Sequence, residues 1–253
     1  MSNYNPFSLE GKTILVTGAS SGIGKATAIE CAKMGATVII TGRNEERLNE
    51  TFAELEDTSK GHFQIVADLT TEEGLNLVVS SLKKLDGVVL CAGKGLTMPL
   101  QFASTEKFNS VFEINFFSPV ELMRLLYKKK ILVKYASVVM IASVGGITRI
   151  ELGSGIYGTS KSALNAAMQY AAREFAATRR IRVNSICPGM VDTPLIHRGT
   201  ITEEQLEEDI KTYPLQRYGR PEEVAQAAIY LLSDASAWVT GHSLIIDGGV
   251  SLI

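Results

Sequence analysis

Residues 13–24 read T-I-L-V-T-G-A-S-S-G-I-G, and the fold turns on them. Thr13–Thr17 is a short run rich in β-branched residues, the composition of a strand. Glycines follow at 18, 22 and 24, and a helical pattern, Ile23–Met34, opens inside the same stretch. In that strand–turn–helix context Gly18 permits a tight turn, Gly22 lets a phosphate approach the backbone, and Gly24 lets the helix pack closely. The free N–H groups of the helix start then face a pyrophosphate. A turn that merely joins strand to helix would also use glycine, but its place directly after the first strand favours a dinucleotide site. The expected contacts are Gly18, Ser20, Ser21, Gly22, Ile23 and Gly24.

Outward from this stretch, short apolar runs alternate with helical patterns. Candidate strands are Thr13–Thr17, Thr37–Thr41, Phe63–Ala67, Gly87–Cys91, Ser137–Ala142, Arg182–Ile186 and Leu244–Ile246. They are rich in Val and Ile and mostly lack polar alternation, as strands buried on both faces do. Amphipathic stretches between them are Ile23–Met34, Glu45–Glu56, Phe108–Lys129, Ser160–Thr178 and Pro221–Leu232. The last opens with proline followed by two acids, a helix-start signal. Strand–helix alternation predicts right-handed βαβ units and a doubly wound, seven-stranded parallel sheet with helices on both faces. Its ligand site is expected at the carboxyl ends of the strands.

Composition sets limits on function. The chain has 253 residues, 45% apolar and 21% charged, with a formal net charge of −2. That is an ordinary globular balance, without the basic footprint of a nucleic-acid binder. Lys128, Lys129 and Lys130 read as the solvated end of a helix, facing its dipole. Cys31, Cys91 and Cys187 lie far apart, as do His62, His197 and His242. Neither set has metal-ligand spacing; the cysteines suggest reduced thiols in a cytosol, and no metal is expected. The first ten residues lack a signal-peptide layout, and no apolar run is long enough to span a bilayer, so a cytoplasmic location is expected. No linker or repeat divides the chain, and residues 1–253 read as one domain.

Two further features carry chemistry. The second strand ends at Thr41-Gly42-Arg43-Asn44, where such a fold meets the adenosine ribose. An acid there would favour NAD(H); Arg43 instead suits a 2′-phosphate, so NADP(H) is expected in preference to NAD(H). The alternative is a solvated Arg43 in a helix-capping loop. Asp68, with Leu69, is placed to meet the adenine edge, or Asp68 caps a helix starting near Thr71. Tyr157 and Lys161, four apart, share one helical face. Such a pair is either ordinary surface and core, or an ammonium lowering a phenol's pKa for proton exchange.

At this point the chain resembles the short-chain dehydrogenase/reductase family in its compact, Rossmann-type form. The resemblance runs from Gly11 to Gly249. Its motifs occur in order: the glycine turn, Asp68, Cys91-Ala92-Gly93, Asn115, Ser143, Y-G-T-S-K at 157–161, and P-G-M-V-D-T at 188–193. The resemblance implies a catalytic set of Asn115, Ser143, Tyr157 and Lys161. Tyr157 would exchange a proton with the substrate oxygen. Lys161 would hold the nicotinamide ribose and depress the phenol's pKa. Ser143 would bond the substrate oxygen, with Gly145 beside it, and Asn115 would place a water on Lys161. Ala92, Gly93, Pro188, Gly189, Val191 and Thr193 would complete the cofactor cleft and present the nicotinamide face used for pro-S hydride transfer. One departure stands out: the family usually has Asn-Asn-Ala-Gly after the fourth strand, and here Leu90-Cys91 replaces the amides, removing hydrogen bonds that would steady the central sheet.

Substrate specificity is expected from Lys94–Gln101, Val144–Ile156 and the segment from Val191 to Tyr213. Met98, Leu100, Ile147, Ile150, Leu152, Leu195 and Ile196 make the expected pocket mostly apolar. Arg149, Arg198 and Lys211 could meet an anionic carrier or simply aid solubility. The acidic stretch I-T-E-E-Q-L-E-E-D-I, 201–210, is either a mobile lid or a fixed surface helix. In overall look the chain is nearest to 3-oxoacyl-[acyl-carrier-protein] reductases; sugar, polyol or hydroxysteroid dehydrogenases share the same features, and a catalytically silent NADP(H)-binding sensor is the remaining alternative. Related chains form tetramers through the helices carrying Asn115 and Lys161; Phe116, Phe117, Leu122, Leu125, Ala166, Tyr170 and Phe175 would supply the apolar surface.

Overall fold

The computed structural model describes residues 4–196 and 202–252. Its strands are β1 (Thr13–Thr17), β2 (Thr37–Gly42), β3 (Phe63–Val66), β4 (Leu85–Leu90), β5 (Leu132–Ile141), β6 (Arg182–Pro188) and β7 (Ser243–Ile246). They form one seven-stranded sheet, in the order β3-β2-β1-β4-β5-β6-β7, and every pairing is parallel. The helices are α1 (Gly22–Lys33), α2 (Glu45–Ala53), α3 (Glu72–Ser81), α4 (Thr105–Phe112), α5 (Ser118–Lys128), α6 (Gly155–Arg179), α7 (Glu203–Ile210) and α8 (Pro221–Leu232).

The unbroken apolar character of the strands has a direct cause, since each face of the sheet carries its own core. Leu15, Val88, Val138, Met140 and Val183 pack beneath α3, α5 and α6. Their neighbours Ile14, Val16, Val89, Val139 and Ile186 pack beneath α1, α2 and α8. Period-two alternation is therefore a choice between two apolar cores, and buried polar strand residues such as Ser137, Asn184 and Ser185 are hydrogen-bonded. Asn165 of α6 fastens one edge: its Oδ1 accepts hydrogen bonds from Ser185 of β6 at 2.6 Å and Ser243 of β7 at 2.9 Å.

Some boundaries differ from the sequence reading. β5 begins at Leu132, before the expected Ser137. Leu132 pairs with Leu85, the register then shifts, and Ser137 pairs with Gly87. The extra residues include exposed Tyr135 at φ 71°, which hid the strand's start. The expected Phe108–Lys129 helix is two helices joined by a π-helical turn, Glu113–Phe117. Pro119 explains the interruption. In an α-helix its N–H would bond the carbonyl of Asn115, and proline has no N–H to give. Ser118 instead donates both its N–H and its hydroxyl to the Glu113 carbonyl. α6 starts at Gly155, five residues before the expected Ser160, so Tyr157 lies within its first turn.

The helical surface expected for self-association is partly core. Leu122 and Phe175 are buried in the sheet-facing cluster, and Phe175 stacks on Tyr127 at 3.9 Å between ring centroids. Phe117, Ala166 and Tyr170 remain exposed.

Gly87 shows how little room the centre of the sheet has. A Cβ there would lie 2.6 Å from Leu232 Cδ2, 2.8 Å from Ile14 Cδ1 and 3.2 Å from the Ser137 carbonyl oxygen. Overpacking of this kind costs about 1–3 kcal/mol, more than the ~0.4–1 kcal/mol that a less flexible unfolded chain returns. Gly87→Ala should lower the urea midpoint accordingly; an unchanged or raised midpoint would show that Leu232 and Ile14 yield freely.

Candidate active site

The sheet order places the topological switch between β1 and β4, and the loops leaving these strands meet there. Gly18, at φ +68°, leaves β1 so closely against the next loop that a Cβ would lie 2.8 Å from the Ala92 Cα. A Cβ on Gly24 would lie 2.3 Å from the Gly18 carbonyl oxygen. These two glycines let α1 start directly over the strand ends. Side chains cap α2 through Asn44 and α3 through Thr71, each with two acids in the first turn. α1 has no side-chain cap bond and no acid in its first turn. Its positive dipole end and N–H groups are therefore left for an anion, so the cradle fits a pyrophosphate. Ser20 and Ser21 are half-buried in the turn, with Ser20 over Gly42. Ile23 packs towards the core. Thr193 reaches the same turn, its Cγ2 3.1 Å from where Gly22 would carry a Cβ.

Arg43 is exposed at the end of β2. The Asp68 carboxylate accepts from the Thr70 N–H at 2.9 Å and the Thr70 hydroxyl at 2.7 Å. Those bonds, with a smaller contribution from Arg43, hold its carboxyl below the usual range. Asp68 does not cap α3, because Thr71 does, accepting from the Gly74 N–H at 3.0 Å. The Leu69 side chain is buried in the core, so only its backbone is left to touch a cofactor.

The loop after β4 has its own tie. Thr17 Oγ1 accepts from the N–H of Cys91 at 3.0 Å and of Ala92 at 3.2 Å. This bond pair joins β1 to β4 without the family's amides, a role for Thr17 that the sequence reading missed. Burial pushes the Cys91 thiol up to about 11, leaving a neutral, poorly nucleophilic sulfur. Pro188 ends β6, and Gly189 donates to Ile246 at 2.9 Å. The chain then crosses to a bridge between Val191 and Gly219, which carries Thr193 towards the glycine turn.

Asn115 sits in the π-helical turn and is fully buried. Its Oδ1 accepts from the Lys94 N–H at 2.9 Å, while its Nδ2 donates to the Lys94 carbonyl and to Ser160 Oγ, both at 3.0 Å. Ser160 in turn donates to the Tyr157 carbonyl at 2.7 Å. The amide therefore clamps the β4 loop onto α6. Gly93 fits between Asn115 and Lys161: its Cβ position is 3.0 Å from Asn115 Oδ1 and 3.5 Å from Lys161 Nζ.

Ser143 follows β5 by two residues, with its hydroxyl accepting from the Gly145 N–H at 3.1 Å. Tyr157 is half-buried on α6, and Lys161, one turn on, is 5% exposed. Lys161 Nζ donates to the Ile141 carbonyl at 2.7 Å and lies 5.9 Å from the Tyr157 ring centroid. The electrostatic balance departs from the expectation that Lys161 depresses the phenol. Burial pushes Tyr157 above its ordinary value, and a hydrogen bond with Ser143 works against this. The group pulled down is Lys161 itself, to about 8, again by burial. Spacing along a helix predicted the proximity, but desolvation decides the titration.

The specificity loops also settle differently. α7 is held in place: Leu206 packs with Tyr213, Tyr218 and Val250, and Ile196 joins this small cluster instead of lining the pocket. Tyr213 Oη accepts from the Met190 N–H at 3.1 Å. These contacts favour the fixed-helix reading over a mobile lid. Arg149 is engaged by Glu151 at 3.1 Å and Asp209 at 3.5 Å, and Lys211 pairs with Glu208. His197 and Arg198 lie outside the described residues. His62 has a structural place, its Nδ1 accepting from the Val38 N–H at 2.9 Å.

A glycine cradle at a helix start, a Ser–Tyr–Lys group at the neighbouring strand ends and a parallel sheet beneath them define a nicotinamide-dependent oxidoreductase. A family model described as enoyl-(acyl carrier protein) reductase matches residues 18–251. The chain is 34% identical to the 3-oxoacyl-[acyl-carrier-protein] reductase FabG of Rickettsia bellii, over 97% of this chain and 99% of the relative. Among solved structures, a short-chain type dehydrogenase/reductase from Mycobacterium ulcerans superposes with TM-score 0.86 at 33% identity, covering 97% and 91% of the two chains. The Pseudomonas aeruginosa RhlG/NADP active-site complex gives TM-score 0.86 at 33% identity, covering 98% and 100%. The chain belongs to the short-chain dehydrogenase/reductase family, whose members interconvert CH–OH and C=O groups. No helix among the described residues is long and apolar enough to cross a membrane.

The Lys161 amine should titrate near pH 8, far below the ~10.4 of a free lysine. The sign follows from burial penalising the charged form: this group opposes folding below pH 8, and the penalty fades as pH rises towards 10. NMR of lysine side-chain carbons, assigned with Lys161→Met, reads the midpoint directly. A midpoint above 10 would contradict the burial described here.

Proposed function

We propose that residues 1–253 form one nicotinamide-binding domain that works in the cytoplasm as an NADP(H)-dependent oxidoreductase on a carbonyl or secondary alcohol, assembled as a homotetramer. The observation that carries this reading is the convergence of Ser143, Tyr157 and Lys161 beside the glycine cradle. The bound cofactor supplies or accepts the hydride. Tyr157, held neutral by burial, gives its proton to the substrate oxygen in the reductive direction and takes it back in the oxidative one. Ser143 hydrogen-bonds both the phenol and that oxygen, with Gly145 alongside. Lys161 holds the nicotinamide ribose hydroxyls, and Asn115 positions the loop and helix on either side.

The glycine turn from Gly18 to Gly24 and Thr193 hold the pyrophosphate. Asp68 and the Leu69 backbone meet the adenine, while Ala92, Gly93, Pro188, Gly189 and Val191 line the cleft towards the nicotinamide. The preference for NADP(H) rests on Arg43, an exposed cation where an acid would select NAD(H). The NADP complex of the Pseudomonas relative supports the same cofactor. Exposed Phe117 of the π-helical turn, with Ala166 and Tyr170 of α6, supports self-association. The substrate class includes 3-oxoacyl thioesters, given the FabG relatives, with sugar, polyol and steroid carbonyls as the competing set.

NADPH oxidation against 3-oxoacyl thioesters, ketosteroids and keto sugars tests the reaction. Tyr157→Phe should lower kcat by about 10²–10⁴-fold while NADPH still binds; unchanged turnover would remove Tyr157 from the chemistry. Arg43→Ala should weaken NADPH by about 10–100-fold, the loss of charge-assisted bonds, and leave NADH unchanged. An undiminished NADPH preference would refute the 2′-phosphate assignment.

A further inference from the structure

We propose that the mouth of this site takes an uncharged carbonyl compound with an apolar chain of several carbons and disfavours anionic substrates such as keto-sugar acids. This rests on the oxidoreductase reading above and narrows its substrate. Three chain segments converge at the mouth. Met98 donates its N–H to the Gly153 carbonyl at 2.7 Å, pinning the loop after β4 to the loop that follows Ser143. Leu100 Cδ1 lies 3.4 Å from where Gly155 would carry a Cβ, two residues before Tyr157. Leu195 Cδ1 lies 3.9 Å from the corresponding point on Gly95.

On these segments Leu100 is 67% exposed, Leu195 49%, Ile150 99% and Leu152 100%. Single exposed apolar residues are ordinary, but four on segments tied together by these contacts give the mouth an apolar lining, and concentrated apolar surface marks binding sites. Leu100 brings this apolar surface to Gly155, in the same helical turn as Tyr157, so its occupant is the part of the substrate that trails the reacting carbonyl.

Charge at the mouth points the same way. Arg149, the cation of the loop after Ser143, is held by Glu151 and Asp209 and lies 5.6 Å from the Tyr213 ring centroid. Beside it, α7 carries Glu203, Glu204, Glu207, Glu208 and Asp209, and Lys211 pairs with Glu208. A negative flank repels an approaching anion. Among the described residues of these segments, Lys94, in the loop whose backbone Asn115 grips, is the cation left for a sugar acid to use. The reaction balances as ketone, NADPH and a proton giving secondary alcohol and NADP⁺. The carbonyl carbon receives the hydride and the oxygen receives the Tyr157 proton.

The test is kcat/KM for the full chain with NADPH on straight-chain 2-alkanones from butanone to decanone, with 5-keto-D-gluconate as the anionic comparison. Efficiency should rise about fourfold per methylene, equivalent to ~0.8 kcal/mol each, until the chain outruns the apolar lining. A Leu100→Asn/Leu152→Asn double variant should flatten the slope; both side chains are solvent-facing, so folding is not at stake. Efficiency that is flat with length would overturn the proposal. So would faster reduction of the keto acid, and loss of that preference in Lys94→Met would assign the mouth to anions. If no carbonyl is reduced, the oxidoreductase reading fails by itself, and calorimetric titration of the same ketones then decides the apolar mouth. Kd falling about fourfold per methylene sustains it; absent or length-independent binding overturns it.

Discussion

The site depends on the amide of Asn115. Its two polar atoms satisfy the N–H and carbonyl of Lys94 and reach Ser160, joining the β4 loop to the helix that carries Tyr157 and Lys161. A fully buried amide left without such partners would be costly, of the order of 1–3 kcal/mol for each unsatisfied group. The clamp is therefore both a fastening and a condition of burying the residue at all. Its position follows from Pro119, whose missing N–H turns a continuous helix into a π-helical turn at Asn115. A local backbone defect thus sets the relation between the two halves of the candidate site.

Around this joint, burial governs the chemistry. Lys161 is taken out of water and bonded to the Ile141 carbonyl, which costs the ammonium and brings its titration down to about 8. The same loss of water raises the Tyr157 phenol, with Ser143 opposing. A neutral phenol bonded to a serine is suited to give a proton to a developing alkoxide.

Much of this was legible in the residues. T-G-A-S-S-G-I-G after a strand located the cradle, and Val/Ile runs without alternation announced a sheet covered on both faces. Tyr157 and Lys161 four apart announced their shared helical face. The parts that were not legible depend on contacts distant in sequence. Pro119 was the signal for the π-helical turn, but it lay inside an otherwise amphipathic run. Thr17 as the tie to Cys91 and Ala92 required knowing that β1 and β4 are neighbours. The titration of Lys161 required its burial, which spacing does not encode. Arg149 read as an available cation until Glu151 and Asp209 were found beside it.

The central claim is hydride transfer at the Ser143–Tyr157–Lys161 site with the cofactor in the orientation of this family. Mass analysis of the alcohol formed from NADPH deuterated at either C4 position tests it most directly. Deuterium should pass into the product from the pro-S label and not from the pro-R label. Transfer from the pro-R position, or an alcohol carrying neither label, would contradict the account.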